Sequence, residues 1–243
     1  MMTRRLVAAW AVLACVAWAP RIGVAAAGGD SANVAAARKA RDSGDTEALD
    51  RLTKDARQQA EQQKSAQNYQ TLAQFDLWLC EAGHLHSDNK IIKQAAQDAA
   101  AAADQAIALD PNSSDAHRLE GQALAELIPH AFAGGPRYGP RSTKEIEKAM
   151  ELDPKNANAD AARGINYFLT PKAFGGNHQK AVEMFQKAIE LDPASDTAHI
   201  WLAQVYLADG QQADALREIN AARQLDPDRG FAQNVYEQVT AKK

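Results

Sequence analysis

The residues best suited to chemistry are the histidines, and the densest group is His84-Leu85-His86-Ser87-Asp88. Two neutral imidazoles and a carboxylate at alternate positions are competent ligands for a divalent ion. No cysteine or third histidine follows at ligand spacing, so a polar turn between helices accounts for the same residues better. His130 and His178 lie close to two glycine pairs, Gly134-Gly135 and Gly175-Gly176. A phosphate-cradling loop would need a strand before such a pair, a helix after it and a following Lys-Ser or Lys-Thr, and neither pair has them. Cys80 sits in the apolar run Leu77-Trp78-Leu79-Cys80 and reads as a small core residue. No Gly-x-Ser-x-Gly, His-Glu-x-x-His or paired-cysteine motif occurs. The sequence therefore assigns no catalytic, cofactor-binding or metal-binding residue, and it supports neither an enzyme nor a resident cofactor.

The elements that must position these residues are announced by a recurring tripeptide. Leu-Asp-Pro occurs at Leu109, Leu152, Leu191 and Leu225, with successive spacings of 43, 39 and 34 residues. Each copy closes a helix-like stretch ending in Ala-x-x-Leu. Proline lacks an N–H and disfavours helical geometry in the residue before it, so it ends that helix. The next helix can start at Ser113 or Ser114, at Asn156 and at Ser195, all good caps. Leucine is expected to close the hydrophobic face. Recurrence at this interval predicts a stack of helical hairpins rather than one globular core.

The last copy, residues 196–227, is the most regular. Leu202, Tyr206 and Leu207 form an apolar stripe on a first helix, and Ala215, Ile219 and Ala222 form one on a second. Asp209-Gly210 turns between them. With Ala203, Ala215, Ala222, Tyr206, Ile219 and Pro227 in place, the segment resembles the tetratricopeptide repeat (TPR), although His199 stands where that family often carries tryptophan. Gly164, Tyr167, Ala181, Phe185 and Ala188 take the corresponding places one copy earlier; Gly121, Leu124, Ile146 and Ala149 take them in the copy before. His117 and His199 are then equivalent, which points to packing at a helix start. The resemblance implies an all-α, right-handed superhelical TPR solenoid of antiparallel helix pairs.

Measured against the spacing of 34, the two earlier copies exceed it by nine and five residues. The excess falls between first and second helices and shares its wording: Pro129-His-Ala-Phe132 before Gly134-Gly135, and Pro171-Lys-Ala-Phe174 before Gly175-Gly176. These read as inserted loops on one edge. Glycine allows sharp turning, and Phe132 or Phe174 is expected to pin each loop to neighbouring helices, with Arg137 and Tyr138 in the longer one. The predicted organisation is a leader at 1–27, a helical hairpin cap at 28–66 and a degenerate unit at 67–113. Units at 114–156, 157–195 and 196–229 follow, and a capping helix at 230–243 covers the last apolar face.

Residues 1–27 have the order of an export signal: Arg4-Arg5, an apolar run from Leu6 to Ala19, and small residues Val24-Ala25-Ala26-Ala27 for cleavage after Ala26 or Ala27. The run is short for a membrane span. Cys15 follows Val12-Leu13-Ala14 but lies too early for a lipoprotein site. A periplasmic or secreted protein is expected. The leader holds three arginines and no acid, so of 27 basic and 31 acidic residues the remainder keeps 24 and 31, a net of −7. That balance argues against nucleic-acid binding. Without the leader, the chain is expected to form one elongated array.

The resemblance also implies where a partner would bind. In TPR arrays the first helix of each unit lines a concave groove. The matching residues are Asp115, Arg118 and Gln122; Asn158, Ile165 and Phe168; and Thr197, Ile200 and Gln204. The mixture, polar at one end and apolar at the other, suits an extended or amphipathic segment. The expected function is a non-catalytic scaffold for a protein or peptide partner. The alternative is a small-ligand-binding accessory protein of an envelope transport system.

Overall fold

The computed structural model describes residues 28–241, so the expectations for the leader and Cys15 lie outside the described residues. Within them the chain forms eleven α-helices: α1 (Gly28–Ser43), α2 (Thr46–Gln62), α3 (Ala66–Leu85), α4 (Asn89–Leu109), α5 (Ser114–Leu127), α6 (Gly134–Leu152), α7 (Ala157–Leu169), α8 (His178–Leu191), α9 (Asp196–Ala208), α10 (Gln212–Leu225) and α11 (Gly230–Thr240). Each odd-numbered helix up to α9 pairs with the one after it. Short 3-10 turns, Ile128–His130 and Lys172–Phe174, follow α5 and α7.

The Leu-Asp-Pro joints work through their aspartates. Asp110, Asp153, Asp192 and Asp226 are extended C-cap residues whose N–H groups donate to the carbonyls of Ala106, Ala149, Ala188 and Ala222. In the first three, the carboxylate accepts the N–H two residues on, from Asn112, Lys155 and Ala194, at 3.0–3.1 Å. Ser113, Asn156 and Ser195 then cap the following helices by accepting from Ala116, Ala159 and Ala198. One aspartate closes a helix and folds the turn across the proline.

The leucines do not close the hydrophobic face. Leu109 is 50 % exposed and Leu191 and Leu225 about 40 %. The alanines three residues earlier are fully buried and take that role. Close approach instead depends on small residues in the first helices. A Cβ on Gly121 would stand 2.5 Å from Ile146 Cγ1, and one on Gly164 would stand 2.8 Å from the Phe185 ring. Ala203 fills the equivalent place, fully buried. Cys80 is buried as expected, its thiol 3.5 Å from the Ile92 carbonyl.

The longer insertion is not a loop over its length. Helix α6 starts at Gly134 and runs for 19 residues, against 14 in α8 and in α10. Most of the excess extends this second helix, with Pro136 in its first turn, where a missing N–H costs no helical bond.

Successive first helices touch one another directly: α1 with α3, α3 with α5, α5 with α7 and α7 with α9. Second helices of neighbouring units make far less contact. The array therefore curls with its first helices inward, tightly enough that α11 meets α1, α3 and α9. This corrects the expectation of an elongated domain, since the two ends of the described chain are in contact.

Candidate partner-binding groove

Arg229 makes the closure. It holds the position at which the earlier joints place a capping Ser or Asn, and it caps nothing. Its side chain, 2 % exposed, donates to both carboxylate oxygens of Glu81 on α3 at 2.9 and 2.8 Å, and to Asp196 and Thr197 on α9. Two carboxylates hold the guanidinium above its ordinary pKa despite the opposing effect of burial. Beside it, Arg41 of α1 bonds Asp42 and reaches Asp226 at 3.4 Å while lying over the Trp78 ring. The clasp joins residues 148 and 185 positions apart.

The inner face of the first helices divides into two parts. On the α3–α5 side it is polar: Arg118 donates to Asp115 (3.0 Å), to Gln122 and to Gln74 (3.1 Å), and Gln70 donates to Ser113 (2.9 Å). The α7–α9–α11 side carries an aromatic run. Phe168 meets Trp201 at 6.3 Å and Trp201 meets Phe231 at 5.6 Å between ring centroids, both edge to face, and Phe168 also packs on His178.

The nine expected groove residues fall into two groups. Asp115 and Asn158 are exposed, while Gln122, Ile165, Phe168, Thr197 and Gln204 are half-buried. Arg118 (6 %) and Ile200 (0 %) are buried. Ile200 lies among Ile219, Ala232 and Val235, so it packs between helices and does not line the groove. The inward stripe of α9 is instead Thr197, Trp201 and Gln204, at spacings of four and three. Trp201 and Arg229 were missed by the sequence reading, and Phe231, an inward residue of the expected capping helix, was not assigned to this face. A shift of one position in helical phase would have found Trp201; the placement of the other two depends on the closure. Arg118 has committed its donors to neighbouring side chains, so it orders the wall.

The remaining chemistry-bearing residues are dispersed. His84 bonds Glu126 (2.8 Å), His86 bonds the Gly44 carbonyl (2.8 Å), and Asp88 caps α4. These three sequence neighbours engage different partners. The carboxylate facing His84 raises its pKa. His117 and His199 do pack at helix starts, each joined through Nδ1 to its own second helix, at Glu145 (2.6 Å) and Glu218 (2.8 Å). In the middle unit Asp160 takes that position and pairs with Lys187 at 2.8 Å. The bond from His199 holds Glu218 below the usual carboxylate range. His178 bonds Asp209, and His130 sits in the turn after α5.

Phe132 and Phe174 do not pin their turns. They are 100 % and 80 % exposed. The turns are nevertheless equivalent in backbone. Ala133 and Gly175 both have positive φ (52° and 98°). A Cβ on Gly134 would lie 2.1 Å from the Ile128 carbonyl oxygen, and one on Gly176 would lie 1.6 Å from that of Thr170. In both turns, glycine is required where the chain doubles back on the residue before proline. That geometry turns the phenylalanine outward. Arg137 is exposed and stacks on the half-buried Tyr138.

Known proteins agree with this architecture. Residues 175–239 match the tetratricopeptide repeat family. The crystal structure of TTC0263, a thermophilic TPR protein of Thermus thermophilus, superposes with a TM-score of 0.65 at 17% identity, over 86% of this chain and 98% of that one. YrrB, described as a TPR protein with an unusual peptide-binding site, gives 0.45 at 16% identity over 86% of this chain and 99% of its own. The DnaJ homolog subfamily C member 7 homolog of Schizosaccharomyces pombe is 30% identical over 100 residues, 36% of this chain. The chain spans about a fifth of the length of that curated relative. Residues 175–239 thus carry the tetratricopeptide-repeat sequence, and the described residues share the fold of a TPR protein.

Proposed function

We propose that this protein is an exported, non-catalytic scaffold whose inner face holds an extended or amphipathic segment of a protein partner. The observation that carries the reading is the half-buried aromatic run Phe168–Trp201–Phe231 beside the polar wall of Gln74, Gln122 and Asp115. Aromatic rings with one face still open are the usual anchors of binding energy, and polar neighbours fix orientation. Export rests on the order of residues 1–27, a basic start followed by an apolar run and small residues.

The test is capture of envelope partners on wild-type protein, Phe168→Ala and Trp201→Ala, with thermal melts confirming that the variants fold. Loss of a hot-spot ring should weaken a genuine partner on the order of tenfold or more. Retention of every partner by both folded variants would contradict groove binding.

A further inference from the structure

Independently of the groove, we propose that the edge carrying Phe132 and Phe174 docks peripherally on an anionic phospholipid bilayer. The two rings are displayed by equivalent tight turns in adjacent units and are 100 % and 80 % exposed. A single exposed phenylalanine needs no explanation, but the same display built twice at one edge does.

The surroundings select the occupant. Residues 128–144 and 169–182 contain no aspartate or glutamate in a chain of net charge −4. Arg137 and Lys172 are exposed within the turn regions, and Lys180 is exposed in the first turn of α8. None of the three forms an ion pair with a described acid; Arg137 lies over Tyr138 and Lys180 over Tyr167. Arg141 is discounted, being paired with Asp104. The acids that flank these segments already have partners: Glu126 pairs with His84, Asp209 with His178, Glu183 accepts from Gln179, and Asp88 caps α4.

Protruding rings ringed by cations fit a deformable apolar layer beneath anionic headgroups, because each ring enters the interface without a matching pocket. No described helix is long and apolar enough to cross a membrane.

The experiment is co-sedimentation of the purified protein with vesicles of phosphatidylcholine alone and of phosphatidylcholine mixed with phosphatidylglycerol, titrated to half-binding. Wild type should bind the mixed vesicles more tightly, and added salt should weaken that binding. Phe132→Ser/Phe174→Ser should raise the half-binding lipid concentration on the order of tenfold per ring. Arg137→Glu/Lys172→Glu should remove the preference for phosphatidylglycerol. Both pairs are exposed, so melting temperatures should not change. Equal half-binding concentrations for wild type and the phenylalanine variant would overturn the proposal. So would equal binding to both vesicle types, or loss of a cross-linked protein partner in the phenylalanine variant with vesicle binding intact.

Discussion

Among individual residues, the acids without adequate partners have the clearest consequence. Asp76 is 1 % exposed, and burial raises its pKa to about 8, because Arg57, 3.6 Å away, does not offset the loss of water. Burial and the nearby Asp104 raise Glu120 to about 7, against the effect of Arg141. A carboxyl with a higher pKa folded than unfolded binds more protons in the folded state. It therefore costs stability as pH rises between the two values. Stability should fall between about pH 4 and pH 8, and Asp76→Asn should flatten that fall; urea midpoints measured across the range check it. The histidine equivalence is a residue-scale feature visible in sequence, because His117 and His199 sit at the same offset from their caps. Their glutamate partners were not visible, since pairing depends on how the second helix rotates. The Ile200 expectation failed for a related reason. Both Ile200 and Trp201 are apolar, and only packing against α10 and α11 decides which of them turns inward.

The helices and their joints were largely legible, because proline, aspartate and cap residues act locally. Ser113, Asn156 and Ser195 all cap where expected. Less legible was which apolar residue at a joint is buried. Leu225→Ala should cost under about 1 kcal/mol, whereas Ile219→Ala, from a fully buried position in the same helix, should cost about 2–5 kcal/mol. Chemical denaturation of both variants distinguishes a leucine that seals the core from one that does not. The inserted turns show the opposite error. Phenylalanine was expected to be buried, but the positive φ before Gly134 and Gly176 directs it outward. Gly176→Ala should force the turn to rearrange, since its Cβ would collide with the Thr170 carbonyl. Chemical-shift changes confined to the α7–α8 turn would record that.

The closure of the whole molecule had no local signature. Arg229 interrupts the cap pattern, but its partner Glu81 lies 148 residues away. Removing one partner of a buried ion pair strands the others, at a cost of about 3–5 kcal/mol for full burial. Glu81 and Asp196 keep some contact with water, so Arg229→Met should lie toward the low end. It should also let the ends separate, seen as a larger maximum dimension by small-angle scattering. An unchanged dimension would mean that apolar contacts of α11 hold the closure alone. Curling brings the polar wall and the aromatic run into one inner face, and the proposed partner surface depends on that arrangement. The most direct measurement is photo-cross-linking in cells, with a photoreactive residue placed at Asn158 or Gln122 on the first helices, or at Glu147 or Glu190 on the second helices. Adducts to a common partner from the first-helix sites, with none from Glu147 or Glu190, are the predicted result. Adducts from the second-helix sites alone would contradict binding through the inner face.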